Sequence, residues 1–147
     1  MRDPSAYRFR PVLLVDSPEW RTSIEQSNPG RQLAAADTME KLQSILLNSI
    51  GVFAVIQLSS ADGVRMDRIQ FVANQLANWN QACFIAIGDD KLVTLKPIIC
   101  QLGFAEVWLD PFRMDRLWQI AERHWSHVKW PVRSLEQQFE SGLPWAE

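Results

Sequence analysis

Val52-Phe53-Ala54-Val55-Ile56-Gln57-Leu58 is followed by Ser59-Ser60-Ala61-Asp62-Gly63 and then by a segment of helical period, about Met66 to Trp79. Apart from Gln57 the first stretch is continuously apolar and of strand length, and reads as a β-strand, the third in the chain. The small, polar loop after it marks the strand's C-terminal end. In the third stretch Ile69, Val72, Ala73 and Leu76 fall on one stripe, the pattern of a helix covering a sheet. Together they make one βα unit, and a parallel sheet requires that such units repeat.

Outward from this unit the same order recurs. Toward the N-terminus, Val12 to Val15 reads as a buried first strand, and Pro18 opens a short helix to about Gln26. Asn28-Pro29-Gly30 forms a turn, and Gln32 to Ala36 gives a weaker, small-residue strand suited to a sheet edge. Asp37-Thr38-Met39-Glu40 has capping-box spacing and starts a helix with Met39, Leu42, Ile45, Leu46 and Ser49 on one face.

Toward the C-terminus, Cys83 to Ile87 is a fourth strand, with Asp89-Asp90 after it. Lys91 to Leu102 has helical period, and Pro97 is expected to kink or shorten that helix. Gly103 closes it, and Glu106 to Leu109 is the fifth strand. Asp110 is placed to cap a last helix with Pro111 at its first position, running to roughly Lys129. Five units predict an α/β fold: a (βα)5, doubly wound, parallel five-stranded sheet in a three-layer, flavodoxin-like sandwich. One domain covers residues 1–130, and residues 131–147 form a tail with one short helix.

The composition narrows the function classes. With 147 residues, 47 % of them hydrophobic, 22 % charged and a net charge of -2, the chain suits one ordinary folded domain. The arginines and lysines near both ends form no block, so nucleic acid is not the expected partner. No apolar run reaches bilayer length and no leader-like segment opens the chain, so a cytoplasmic protein without a membrane partner is expected. Cys83 and Cys100 read as buried thiols without a CxxC pattern. His124 and His127 lie one turn apart without an acidic or thiol partner at ligand spacing, and read as a surface and half-buried pair rather than a metal site. No GxGxxG, Walker, GxSxG or HExxH motif is present, and neither an enzyme nor a cofactor is expected.

The (βα)5 order, with an acidic residue ending strand one and a proline just inside the last helix, resembles the receiver domain of response regulators over about Pro11 to Lys129. Gly103-Phe104-Ala105-Glu106-Val107-Trp108-Leu109-Asp110-Pro111-Phe112 has the length and spacing of the receiver segment that usually reads G-A-x-x-Y-L-x-K-P-F. Val12-Leu13-Leu14-Val15-Asp16 is similar to the family's first strand, and Phe53 to Leu58 to its third. Receivers accept a phosphoryl group on an aspartate ending strand three, with a metal ion held by that aspartate and an acidic pair after strand one.

Carried over by position, the resemblance places the acceptor on Gln57 and the acidic pair on Asp16 and Ser17. The hydroxyl residue ending strand four falls on Ile87, the lysine before the proline on Asp110, and the aromatic switch on Val107. The loop from Gln57 to Gly63 is about two residues shorter than usual and lacks the family's proline. An amide cannot form an acyl phosphate, and an aspartate reverses the charge that an anion needs. The resemblance therefore implies a degenerate, non-catalytic pseudo-receiver without a metal, acting as a protein-protein interaction module in signalling. The alternative is a metal- or small-ligand-binding (βα)5 enzyme using Asp16, Asp62, Asp89 and Asp110 at the sheet's C-terminal edge.

Of seven tryptophans, Trp108, Trp118, Trp125, Trp130 and Trp145 lie in residues 108–147. On the last helix Leu117, Ile120, Ala121 and Val128 mark the sheet-facing side, and Met114, Trp118 and Trp125 widen it. In the receiver family the surface of helix four, strand five and helix five commonly meets a partner or a second copy. The resemblance thus makes Trp108, Met114, Trp118 and Trp125, with Phe139, Leu143 and Trp145 of the tail, the candidate surface for a protein partner or self-association. The other reading is intramolecular, with Trp118 and Trp125 on the core edge covered by the tail through Leu135, Phe139, Leu143 and Trp145.

Overall fold

The computed structural model describes residues 4–75, 81–111 and 114–130. Its main sheet consists of β1 (Val12–Leu14), β2 (Ala34–Ala35), β3 (Phe53–Gln57), β4 (Cys83–Ile87) and β5 (Phe104–Trp108). All pair in parallel in the order β2-β1-β3-β4-β5. The helices are α1 (Pro18–Ser27), α2 (Met39–Asn48), α3 (Met66–Gln75), α4 (Lys96–Gln101) and α5 (Met114–His127), with a 3-10 segment over Asp90–Leu95 before α4. This is the doubly wound, flavodoxin-like arrangement expected from the alternating pattern, with strand order reversing between β1 and β3.

Strand alternation divides the core in two. Val12, Leu14, Ala54, Ile56, Phe84 and Ala86 point to one face and pack with Leu42, Ile45 and Leu46 of α2, Ile69 and Val72 of α3, and Leu92 and Ile99. Leu13, Val15, Phe53, Val55, Ile85 and Ile87 point to the other and pack with Trp20 and Ile24 of α1 and Leu117, Trp118, Ala121 and Trp125 of α5. Every residue of β3 is buried, since β1 and β4 flank it and helices cover both faces. β2 is a two-residue edge strand, in keeping with its small residues.

Several boundaries differ from the sequence reading for local reasons. The cap of α2 is Thr38, not Asp37: Thr38 is extended at φ -138° and ψ 162°, and its Oγ1 accepts from the Lys41 amide at 3.1 Å. The segment at 91–102 splits into the 3-10 turn and a six-residue α4. Pro97 lies in the first turn of α4, where its missing N–H costs nothing, so it shortens the helix rather than kinking it. Pro111 lies in a turn and α5 runs from Met114, so Pro111 is not the first residue of that helix. The expected loop after β3 forms a small antiparallel ribbon, Ser59–Ser60 with Gly63–Val64. Cys100 is exposed, not buried, because Ile99 takes the inward position on α4. Cys83 is partly buried, and burial, with Glu106 second, pushes its thiol up to about 11.

The tryptophan flank of α5 is also corrected. Met114, Trp118 and Trp125 are buried rather than presented to a partner, while Trp108 is half-buried. Their cover within the described residues comes from α1 and the N-terminal segment. Trp118 Nε1 donates to Ser27 Oγ at 2.6 Å. Trp125 stands edge-on to Phe9 and Phe53, with ring centroids 5.5 and 5.8 Å away. The Arg31 guanidinium lies 5.3 Å from the Trp118 ring and 5.5 Å from that of Trp125, and pairs with Glu122. On this face two helices, α1 and α5, cover what three, α2, α3 and α4, cover on the other, and the large side chains of Trp118 and Trp125, with Phe9 and Trp130 against them, fill the difference. Leu76, Trp79, Leu135, Phe139, Leu143 and Trp145 lie outside the described residues.

The turn between α2 and β3 contains Gly51 at φ +70°. A Cβ there would meet Trp130 Cη2 at 2.7 Å and Val128 Cγ1 at 2.8 Å, so both backbone and space demand glycine. The Gly51 carbonyl lies 3.1 Å from Nε2 of the half-buried His124, and His127 is exposed, matching the expected pair. Burial lowers the His124 pKa from 6.5, opposed by the Gly51 bond and assisted by His127. A lowered folded pKa means the unfolded chain takes up the proton first. The stabilising contribution is complete above about 6.5 and is lost as pH falls through the folded value. Thermal melts between about pH 7.5 and 5.5 should show this acid loss, and His124→Asn should flatten it. An equal acid loss in the variant would assign the effect elsewhere.

Candidate functional site

Open α/β sheets bind ligands at the carboxyl ends of the strands where strand order reverses. Here that edge is formed by the ends of β1, β3 and β4 and the first turn of α3. Gln57 ends β3, lies opposite Ile87 of β4, and is 3 % exposed. Its Oε1 accepts from the backbone amides of Asp16 at 2.9 Å and Ser17 at 2.8 Å. Its Nε2 donates to the Ser59 carbonyl at 3.0 Å. A single amide side chain thus binds the end of β1 to the loop after β3, using one acceptor and one donor that a carboxylate could not both supply.

Arg68, in the first turn of α3, is 4 % exposed. Its Nη1 donates to the Gln57 carbonyl at 2.8 Å, and its Nη2 lies 3.0 Å from Asp16 Oδ2 and 3.2 Å from Asp16 Oδ1. Arg65 Nη1 lies 3.7 Å from the same carboxylate and also pairs with Asp67. Asp67 is held below the usual carboxylate range chiefly by its bond from Arg65. The Asp16 carboxylate therefore faces two guanidinium groups. Ser17 is committed elsewhere as the cap of α1, its Oγ accepting from Trp20 N at 3.4 Å.

On the neighbouring loop Ser59 Oγ donates to Asp89 Oδ1 at 2.8 Å and accepts from the Asp89 amide at 2.8 Å. Lys91 Nζ completes the group at 2.9 Å from Asp89 Oδ2, and its bond is the first cause of the lowered Asp89 pKa. Gly88 permits this closeness, since a side chain there would collide with Ser59 and Leu92. Ile87 is fully buried in the core under α1 and α5, and Asp110 is exposed after β5.

Of the sequence-derived positions, the structure thus joins Asp16, Ser17 and Gln57 in one network, while Ile87 points into the core. Asp62 is exposed in the ribbon turn and Asp89 is bound to Ser59 and Lys91. Among the described residues no group of three or more His, Cys, Asp or Glu side chains is arranged to hold a metal. A divalent cation, which the receiver resemblance calls for, does not fit this donor set. Magnesium selects several hard oxygens, and the carboxylate that remains, Asp16, is already neutralised by arginine.

Sequence reasoning missed Arg65, Arg68 and Ser59. A signal was present: two arginines sit at the N-terminal end of α3, where the helix dipole disfavours positive charge. That placement calls for a carboxylate nearby, and Asp16 supplies it.

The fold and the edge define a receiver-like fold. A solved structure of the beryllofluoride-activated NtrC4 receiver domain dimer matches with a TM-score of 0.63 at 16 % identity, covering 80 % of this chain and 96 % of that one. The receiver domain of NtrC4 from Aquifex aeolicus matches at TM-score 0.58 and 16 % identity over 80 % and 96 % of the two chains. A response regulator from Thermotoga maritima matches at 0.57 and 12 % over 80 % and 97 %. No family model and no curated protein matches the sequence. Among the described residues no helix is long and apolar enough to cross a membrane.

Proposed function

We propose that the chain is a degenerate pseudo-receiver, a non-catalytic protein-protein interaction module of the cytoplasm that works in signalling without phosphorylation. The observation that supports it best is the Gln57 side chain. It stands at the end of β3, where the resemblance puts the phospho-acceptor, and its amide is used fully in holding β1, β3 and the following loop together. An amide is not a nucleophile toward phosphorus, and the Asp16 carboxylate beside it is paired. The reading of this edge as an enzyme's acidic metal site has less support, since its four aspartates are separately engaged or exposed.

With Met114, Trp118 and Trp125 in the core, the interaction surface is assigned to the 3-10 turn and α4 beside β5. Val93 and Ile98 there are 51 % and 52 % exposed, and Trp108 of β5 is half-buried. Phe139, Leu143 and Trp145 of the tail extend this proposal. The test is capture of partners from the native cell by the full chain, with and without a small-molecule phosphodonor, against Val93→Asp/Ile98→Asp. The same partner should be captured under both conditions and lost with the double variant. Capture that needs the phosphodonor, or that survives the double variant, would contradict the proposal.

A further inference from the structure

We infer that Arg68 is a built-in cation: its guanidinium neutralises Asp16 and ties the ends of β1 and β3 together, so that this edge is charge-balanced without a bound divalent ion. The inference rests on the pseudo-receiver reading and adds the agent that closes the site.

Asp16 Oδ1 and Oδ2 both lie within 3.2 Å of Arg68 Nη2, the Gln57 carbonyl accepts from Arg68 Nη1, and the Ser59 carbonyl accepts from Gln57 Nε2. The half-exposed Asp16 carboxylate and the Gln57 and Ser59 carbonyls are thus each met by a nitrogen donor. Arg68 is itself 4 % exposed, with a buried Nε that has no hydrogen-bond partner, so leaving water is not repaid by full hydrogen bonding. Its compensation comes from the carboxylate of Asp16, just after β1, and the carbonyl of Gln57 at the end of β3. A planar guanidinium can span two such acceptors in fixed geometry, whereas a lysine ammonium is a point charge on a flexible stem. A metal ion and this guanidinium would compete for the same carboxylate.

Competition makes the inference testable in the full chain with Mn2+ as probe, read by paramagnetic broadening of amide resonances. The wild type should show no selective broadening at Asp16, Gln57 and Ser59. Gln57→Asp adds a second carboxylate but leaves Arg68 to pair with it, so it should gain little. Gln57→Asp/Arg68→Met should bind Mn2+ at least about tenfold more tightly than Gln57→Asp. Gln57→Asp/Arg68→Lys should fall between them and serves if the methionine variant does not fold.

Equal Mn2+ affinity in all the variants would overturn the inference while leaving the pseudo-receiver reading intact. The guanidinium resonances of wild-type Arg68 give a readout free of substitution. Restricted rotation with resolved Nη signals is expected, and a freely averaging group would overturn the inference. Phosphorylation of the wild type by a small-molecule donor, with Arg68 still restrained, would instead overturn the reading on which the inference rests.

Discussion

Gln57→Leu should lower the unfolding free energy by about 2–5 kcal/mol, although leucine is apolar, similar in size and placed at the end of a buried strand. The substitution removes three hydrogen bonds and leaves the Asp16 and Ser17 amides and the Ser59 carbonyl without their partner. Buried polar groups deprived of partners cost about 1–3 kcal/mol each, and the two amides, being partly accessible to water, should fall at the low end. Gln57→Glu is the informative comparison. It keeps an acceptor for the two amides but buries a carboxylate and sets one of its oxygens against the Ser59 carbonyl, so it should also destabilise near neutral pH, and less so at acid pH where a protonated carboxyl can donate to Ser59. Chemical denaturation of the three proteins measures this directly, and a leucine variant as stable as the wild type would show that the amide is not structural.

Trp125→Ala should cost about 3–5 kcal/mol, the range for truncating a buried aromatic residue and leaving a cavity. Trp125 is 1 % exposed and touches Phe9, Phe53 and Arg31, so its removal loosens the N-terminal segment, β3 and the turn before β2 together. Trp108→Ala should cost about 1 kcal/mol, because that side chain is half-buried and its Nε1 bond to Glu106 lies near the surface. The contrast locates any binding surface. If Trp125→Ala left stability unchanged and abolished partner capture, α5 would be an exposed interface after all.

The succession of strands and helices was legible because each central strand is a short, nearly pure aliphatic run and each helix carries one apolar stripe. Those patterns arise from burial on two faces and on one, respectively. Cap positions shifted by a residue or more because several neighbours could serve: Asp37 and Thr38 both suit a cap, and backbone geometry chose Thr38. Periodicity also widened the apolar arc of α5 correctly, at Met114, Trp118 and Trp125, but did not say what covers it. Phe9 and Arg31 do so from far away in sequence, and no local pattern connects them to α5. At the candidate site Asp16, Ser17 and Gln57 could be aligned from strand ends alone. Arg68 was legible only as an arginine at an unfavourable helix N-terminus; which carboxylate answers it, 52 positions earlier, could not be read before the fold placed the two side by side.

The most direct test of an edge that is complete without a phosphoryl group is the amide NMR spectrum of the wild-type chain, titrated with Mg2+ and beryllofluoride. On the proposed reading Gln57 offers no carboxylate nucleophile, its amide being hydrogen-bonded, and the half-exposed Asp16 carboxylate is already paired with Arg68. The Asp16, Ser17, Gln57 and Ser59 amides should therefore move no more than they do with an inert salt. Saturable shifts at those four amides that require both reagents and disappear in Asp16→Asn would contradict the account.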